Sequence, residues 1–212
     1  EILNARVGVR AQGSSPLLVD TMIRNSREIG IAAEDLAFPK ILNTIIEANS
    51  NSSVAGILAD TYSAPTLEAV QILSNGQTGL LTREYAFPLV RSTSALFGQT
   101  VISGNQVGVR IESNSAPRLG NVSNTNPNDN GYNLFTDNGL YDIFNDTQSV
   151  IKAENNLWNT VDLMEIEQRI FDDDENPSVG MVDFIPLAKL IPDPPPSPTP
   201  SPTPRFIDFP GP

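Results

Sequence analysis

The sequence predicts an all-β chain: a parallel solenoid of about six coils, a short C-terminal capping helix and an extended Pro-rich tail. Three observations predict it. Five glycines, Gly8, Gly30, Gly56, Gly79 and Gly108, are each followed eight or nine residues later by a proline, at Pro16, Pro39, Pro65, Pro88 and Pro117. Around these markers the apolar residues alternate with period two, which is strand spacing and not helix spacing. The proline-to-proline steps are 23, 26, 23 and 29 residues, while the apolar pattern stays constant. A constant core with a variable step means one coil per repeat, with insertions at a corner.

Each unit divides into three short strands. The first follows the glycine, with aliphatic or small residues at its +1 and +3 positions: Val9 and Ala11, Ile31 and Ala33, Ile57 and Ala59, Leu80 and Thr82, Val109 and Ile111. The second follows the proline, with Leu18, Ile41, Leu67, Val90 or Leu119 two places on. Proline lacks an N–H, so it suits the start of a strand, and the aliphatic at +2 then points inward. The third holds Met22-Ile23, Ile45-Ile46, Val70 and Ile72, or Val101-Ile102, and is closed by Asn25, Asn49, Asn75 or Gly104-Asn105. A leucine-rich array of similar step is excluded, because it needs L-x-x-L-x-L and an asparagine ladder, and neither is expected here.

Beyond Pro117 the pattern loosens. Residues 121–133 form a polar, Asn-rich insertion, and 139–146 and 150–159 read as strands of a last coil, with Trp158 filling the end of the core. Helical spacing of Val161, Met164 or Glu165, Ile166 and Ile170, opened by Asp162 and Glu165 as a capping box, predicts a helix of two to three turns within 160–177. The expected division is a solenoid over 1–159, a cap and closing segment over 160–191, a spacer over 192–204 and a docking segment over 205–212.

Composition narrows the function classes. The net charge is -12, with the 13 Lys and Arg scattered singly, so neither nucleic acid nor anionic lipid is an expected partner. No Cys and no His are present, which removes disulfides, thiolate metal sites and His-based catalysis. No apolar run is long enough to insert in a membrane. The sequence starts at Glu1, consistent with a removed leader or a fragment, and the overall look is that of a secreted surface protein.

The segments GVRIESNSAPRLGN (108–121), IKAENNLWN (151–159) and IEQRIFDDDENPSVGMVDFIPLA (166–188) resemble the C-terminal part of bacterial right-handed parallel β-helix proteins, the pectate-lyase-like solenoids. Asn159 departs from the Gly usual in the related turn. The resemblance implies the fold over roughly 5–190. It also implies a range of activities, since members include polysaccharide lyases, epimerases, copper-delivery proteins and many surface proteins of uncharacterised role. Lyases of this kind use an Arg or Lys base and carboxylate-bound calcium on one outer face. Arg10 and Arg110 share the +2 offset of their coils, but Ala32, Leu58 and Leu81 stand between them and no acidic ladder accompanies them. Surface arginines are the expectation, and Leu58 and Leu81 are expected to form an outward apolar contact strip. The acidic run Asp172-Asp174 lacks calcium-loop spacing and reads as a solvated loop at a helix end. Sequons begin at Asn51, Asn121 and Asn145.

Residues 192–204 hold eight prolines in thirteen positions. Such a run favours polyproline II and spans about 40 Å, more than the roughly 30 Å height of six coils. The apolar plug Phe206, Ile207 and Phe209 follows. At the other end EILNARVGV opens directly into the first coil, so an upstream segment or another subunit is expected to cover Ile2 and Leu3. The function expected is therefore a non-catalytic extracellular structural protein that self-associates head to tail as a filament subunit latched by its tail. The subunit-interface residues would be Phe206, Ile207, Phe209, Ile2, Leu3, Leu58 and Leu81, with no cofactor. The alternatives are a polysaccharide-binding or lyase-type β-helix, for which cell-surface polysaccharide is the partner, and a piece of a larger adhesin.

Overall fold

The structure is a computed structural model and describes residues 1–49, 54–92 and 98–189. The expected coils are present, about six of them, as three columns of stacked parallel strands. The first sheet stacks Ile2–Leu3, Met22–Arg24, Ile45–Glu47, Gln71–Leu73, Val101–Ser103, Leu134–Thr136 and Leu157–Trp158. The second stacks Val7–Gln12, Ile29–Glu34, Ala55–Ala59, Thr78–Thr82, Val107–Ile111, Tyr141–Asn145 and Ile170–Phe171. The third stacks Leu17–Val19, Lys40–Leu42, Thr66–Glu68 and Leu89–Arg91, and is prolonged by bridges at Arg118 and Ala153 and by the pair Ile151–Lys152 and Val182–Asp183. The chain visits the second, third and first sheets in turn, so every partner in a sheet comes from the neighbouring coil.

Each third-sheet strand starts directly after its proline, as the missing N–H requires. The proline carbonyls stay in the ladder: Pro16, Pro39, Pro65 and Pro88 accept from the N–H groups of Lys40, Thr66, Leu89 and Arg118 at 2.8–3.0 Å. The +2 residues Ile41, Leu67, Val90 and Leu119 are fully buried. They meet Ile31, Ile57, Leu80 and Val109 from the second sheet and Ile23, Ile46, Ile72 and Ile102 from the first in one continuous core.

Contrary to expectation, a buried asparagine ladder exists. Asn49 Oδ1 accepts from Ser26 N at 2.9 Å, Asn75 Oδ1 from Asn49 Nδ2 at 3.0 Å, Asn105 Oδ1 from Asn75 N at 2.8 Å, and Asn138 Oδ1 from Asn105 Nδ2 at 3.1 Å. The residues that read as turn formers are inward-facing side chains that satisfy corner backbone groups of the neighbouring coil. This also gives the glycines their reason. A Cβ at Gly30 would lie 2.6 Å from Gly56 O and 2.9 Å from Asn49 Nδ2. One at Gly79 would lie 2.7 Å from Gly108 O and 2.9 Å from Asn105 Nδ2. The strand after each glycine passes too close to the ladder for any side chain.

At the C-terminal end the helix is shorter than expected, Leu163–Glu167. Asp162 caps it, its Oδ1 accepting from Met164 N at 2.9 Å. Only Ile166 of the helix is buried, and Val161 and Met164 face outward. The chain then re-enters the second sheet at Ile170–Phe171 and the third at Val182–Asp183, so the solenoid continues past residue 159. Ile166, Ile170, Val182, Phe184 and Trp158 close the core.

Candidate functional site

The +2 residues of the second sheet form one outward column. Strand register aligns Arg10, Ala32, Leu58, Leu81, Arg110, Phe144 and Phe171. Leu58 and Leu81 do point away from the main core, but they are only 2 % and 4 % exposed, so the expected open apolar strip is absent. They pack with Ile29, Ala32 and Ala55 in a second apolar cluster outside the sheet, and Val54, entering from the preceding corner, borders the same hollow as Leu81. Neighbours one strand spacing apart wall each leucine in. Further along, Phe144 and Phe171 stack at 4.3 Å, Arg110 lies 4.8 Å over the Phe144 ring, and Arg110 Nε pairs with Glu112 at 2.5 Å. Arg10 pairs with Glu34 at 3.5 Å. Arg10 and Arg110 stay apart, as expected, with three rows between them, and each is bound to a carboxylate.

A second outer feature escaped the sequence reading. Three places before each proline stand Gly13, Leu36, Tyr62, Tyr85 and Asn114, all with φ between 53° and 63°. Gly and Asn suit this left-handed conformation, whereas Leu and Tyr do not. The Tyr62 and Tyr85 rings stack at 5.2 Å, and with Leu36, Phe38 and Phe87 they form an exposed ridge. The constant offset from proline was the available signal.

The N-terminal end carries the remaining described interface candidates. Ile2 pairs with Ile23 in register and packs on the core only partly covered, while Leu3 is exposed. Phe206, Ile207 and Phe209 lie outside the described residues.

The C-terminal end is chemically the richest region. A polar cleft of about 520 Å³ lies between the last coil and the helix, lined by Asp137, Asp142, Trp158, Thr160, Glu165 and Arg169, among others. Asp142 accepts from Asn138 Nδ2 at 2.7 Å, and Arg169 Nε stands 3.6 Å from its other oxygen. Burial raises the Asp142 pKa above the ordinary carboxylate value, against the opposing pull of Asn138 and Arg169. Trp158 borders this cleft, and its buried Nε1 has no hydrogen-bond partner.

Beside the cleft, carboxylate oxygens of Glu167, Asp172 and Asp174 lie within 4.8 Å of one another, a grouping that could hold a hard cation. Burial, then the neighbouring carboxylates, raise the Glu167 pKa, and burial raises that of Asp172. Asp172 is not the solvated loop residue expected. It is buried and holds the closing segment, accepting from Val182 N at 2.6 Å and Asp174 N at 3.2 Å. On the opposite side Lys152 bridges Glu154 at 2.7 Å and Asp183 at 2.6 Å. Burial alone would raise the Glu154 pKa, but Lys152, Ser123 and the Val122 N–H lower it. Of the sequon asparagines, Asn145 is fully buried, its amide donating to Ser149 O and Gly180 O.

Compared with known proteins, the family model described as "right handed beta helix region" matches residues 1–158. No curated protein and no solved structure matches the chain.

Proposed function

Because the chain belongs to the right-handed β-helix family, whose fold carries no single chemistry, we propose that it is a non-catalytic, extracellular structural protein that associates with its own copies head to tail. The observation that carries the reading is the contrast between its two ends. The first coil leaves Ile2, Val9 and Leu18 part-covered and Leu3, Leu17 and Val19 exposed. The closing end exposes Val161, Leu163, Met164, Met181 and Ile185. Residues 1–30 hold four Arg against three carboxylates, and residues 160–189 hold eight carboxylates against two cations. Apolar faces of opposite charge balance attract, and the match between unlike ends gives an open filament rather than a closed dimer. Secretion accords with the acidic, Cys-free composition.

The test is negative-stain electron microscopy with sedimentation, applied to the parent chain and to R6E/R27E, both exposed first-coil positions. Elongated particles from the parent, shortened by the substitutions and by high salt, are expected. Compact monomers from both proteins would refute the reading.

The cleft at the last coil favours a second reading, polysaccharide binding. Asp137, Thr160, Glu165 and Arg169 on its lining offer donors and acceptors suited to hydroxyl groups, beside the Trp158 ring. Saturable glycan binding by monomeric chain, lost in R169A, would move the assignment there.

A further inference from the structure

The closing end carries an open groove of about 820 Å³ whose lining is mainly apolar. One wall is Ile185 to Lys189, held to the last coil by the bonds from Asn155 N to Pro186 O and Ala188 N to Asn156 O. The other wall is Val161 and Leu163, and Trp158 lies between them. Val161 is 85 %, Ile185 52 % and Leu163 46 % exposed, a concentration of bare aliphatic surface that marks a contact site. We infer that this groove receives the Phe206-Ile207-Asp208-Phe209 plug of another copy of the chain. The inference rests on the head-to-tail reading above.

Three observations fix the occupant. The chain leaves the described residues at Lys189, which itself lines the groove, and the plug lies seventeen residues further on, at Phe206. By composition, eight prolines in 192–204 favour extended chain, about 40 Å over thirteen residues, which disfavours a return to the groove beside Lys189. Seven stacked rows at about 4.8 Å make one copy about 34 Å tall, so a spacer leaving one copy reaches the same groove on the next copy along the axis. The chemistry agrees: Phe206, Ile207 and Phe209 match the apolar walls, and Asp208 between them is suited to Lys189 at the rim.

Trp158 is the chain's only tryptophan, so its emission reports occupancy. The experiment uses the full chain carrying F206S/I207S/F209S and adds a peptide of residues 203–212. A saturable change in Trp158 emission is expected, with binding at least about tenfold weaker when V161D or L163D is added, since either places a charge against apolar partners. Circular dichroism confirms that each variant is folded. No saturable change, or one that survives both substitutions, overturns the inference. In the parent chain the same signal should depend on protein concentration; independence from concentration would mean that each copy holds its own plug, and would also overturn it. The two readings fail separately. Filaments without peptide binding reject the groove and keep head-to-tail association. Peptide binding without filaments in the parent does the reverse.

Discussion

Replacing Asn105 by Ala tests the asparagine ladder as the element that ties coil to coil. The side chain accepts from Asn75 N at 2.8 Å and donates to Ile72 O at 3.2 Å, Ser103 O at 3.0 Å and Asn138 Oδ1 at 3.1 Å. Asn105 itself is buried, and of these bonds only that to Ser103 O is part-buried. Without it the Asn75 N–H loses its acceptor inside the protein, at a cost of about 1–3 kcal/mol, and the remaining bonds add about 0.5–1.5 kcal/mol each where water cannot replace them. A loss of about 3 kcal/mol is expected, which lowers Tm by about 6–12 °C in a chain of this size. Asp at this position should be worse than Ala. It keeps the acceptor, turns the donor contacts into repulsions and adds a charge without a cation. Thermal and urea unfolding followed by circular dichroism measure the effect, with exposed Gln71→Ala as the control, expected within about 0.5 kcal/mol of the parent. Adding Asn75→Ala to Asn105→Ala should cost less than the sum of the two. An Asn105→Ala protein within about 1 kcal/mol of the parent would refute the ladder's role.

Gly79→Ala places a Cβ 2.7 Å from Gly108 O and should cost about 1–3 kcal/mol by denaturant unfolding, although an extended backbone ordinarily tolerates alanine. The raised pKa values of Asp142, Glu167 and Asp172 mean that the folded chain binds protons more readily than the unfolded chain, so stability should rise as pH falls from neutral toward the ordinary carboxylate range near 4. Glu154, with its lowered pKa, works in the opposite sense but only below that window. Glu167→Gln should raise Tm at pH 7 and flatten the trend, and a Tm that falls steadily from neutral pH toward the ordinary carboxylate range would contradict the assignment. Lys152→Met strips the buried Glu154 of its cation and should cost more than Arg6→Ala, whose pair with Glu28 is exposed on both sides and worth about 0–1 kcal/mol.

The coil was legible because its marks are local. A proline before each third-sheet strand and an aliphatic two places on follow from backbone chemistry at that site, and Ile41, Leu67, Val90 and Leu119 sit where that chemistry puts them. The ladder was not legible. An asparagine after an apolar pair reads as a turn residue, and only the stacking of coils turns its side chain inward. Leu58 and Leu81 point outward, as their offset requires, but their burial depends on cover from residues distant in sequence, which no local pattern shows. Leu36, Tyr62 and Tyr85 break the usual preference for Gly or Asn at positive φ, so residue type gave no turn signal there. At the closing end the acidic run was visible, but the burial of Asp172 depends on the return of Val182 to the third sheet.

The asparagine row ends on an aspartate. Asn138 hands its amide to Asp142, whose other oxygen faces Arg169, and a carboxylate has no N–H to pass onward. The molecule therefore has a lengthening point and a stop. A designed coil inserted between Asn75 and Asn105, bringing its own asparagine, glycine and proline, would find donors and acceptors waiting on both sides. The same coil placed after Asp142 would meet a row already terminated. Rod length in this protein is thus adjustable in whole coils from the middle, with a fixed terminus, which suits it to use as a molecular spacer of chosen height.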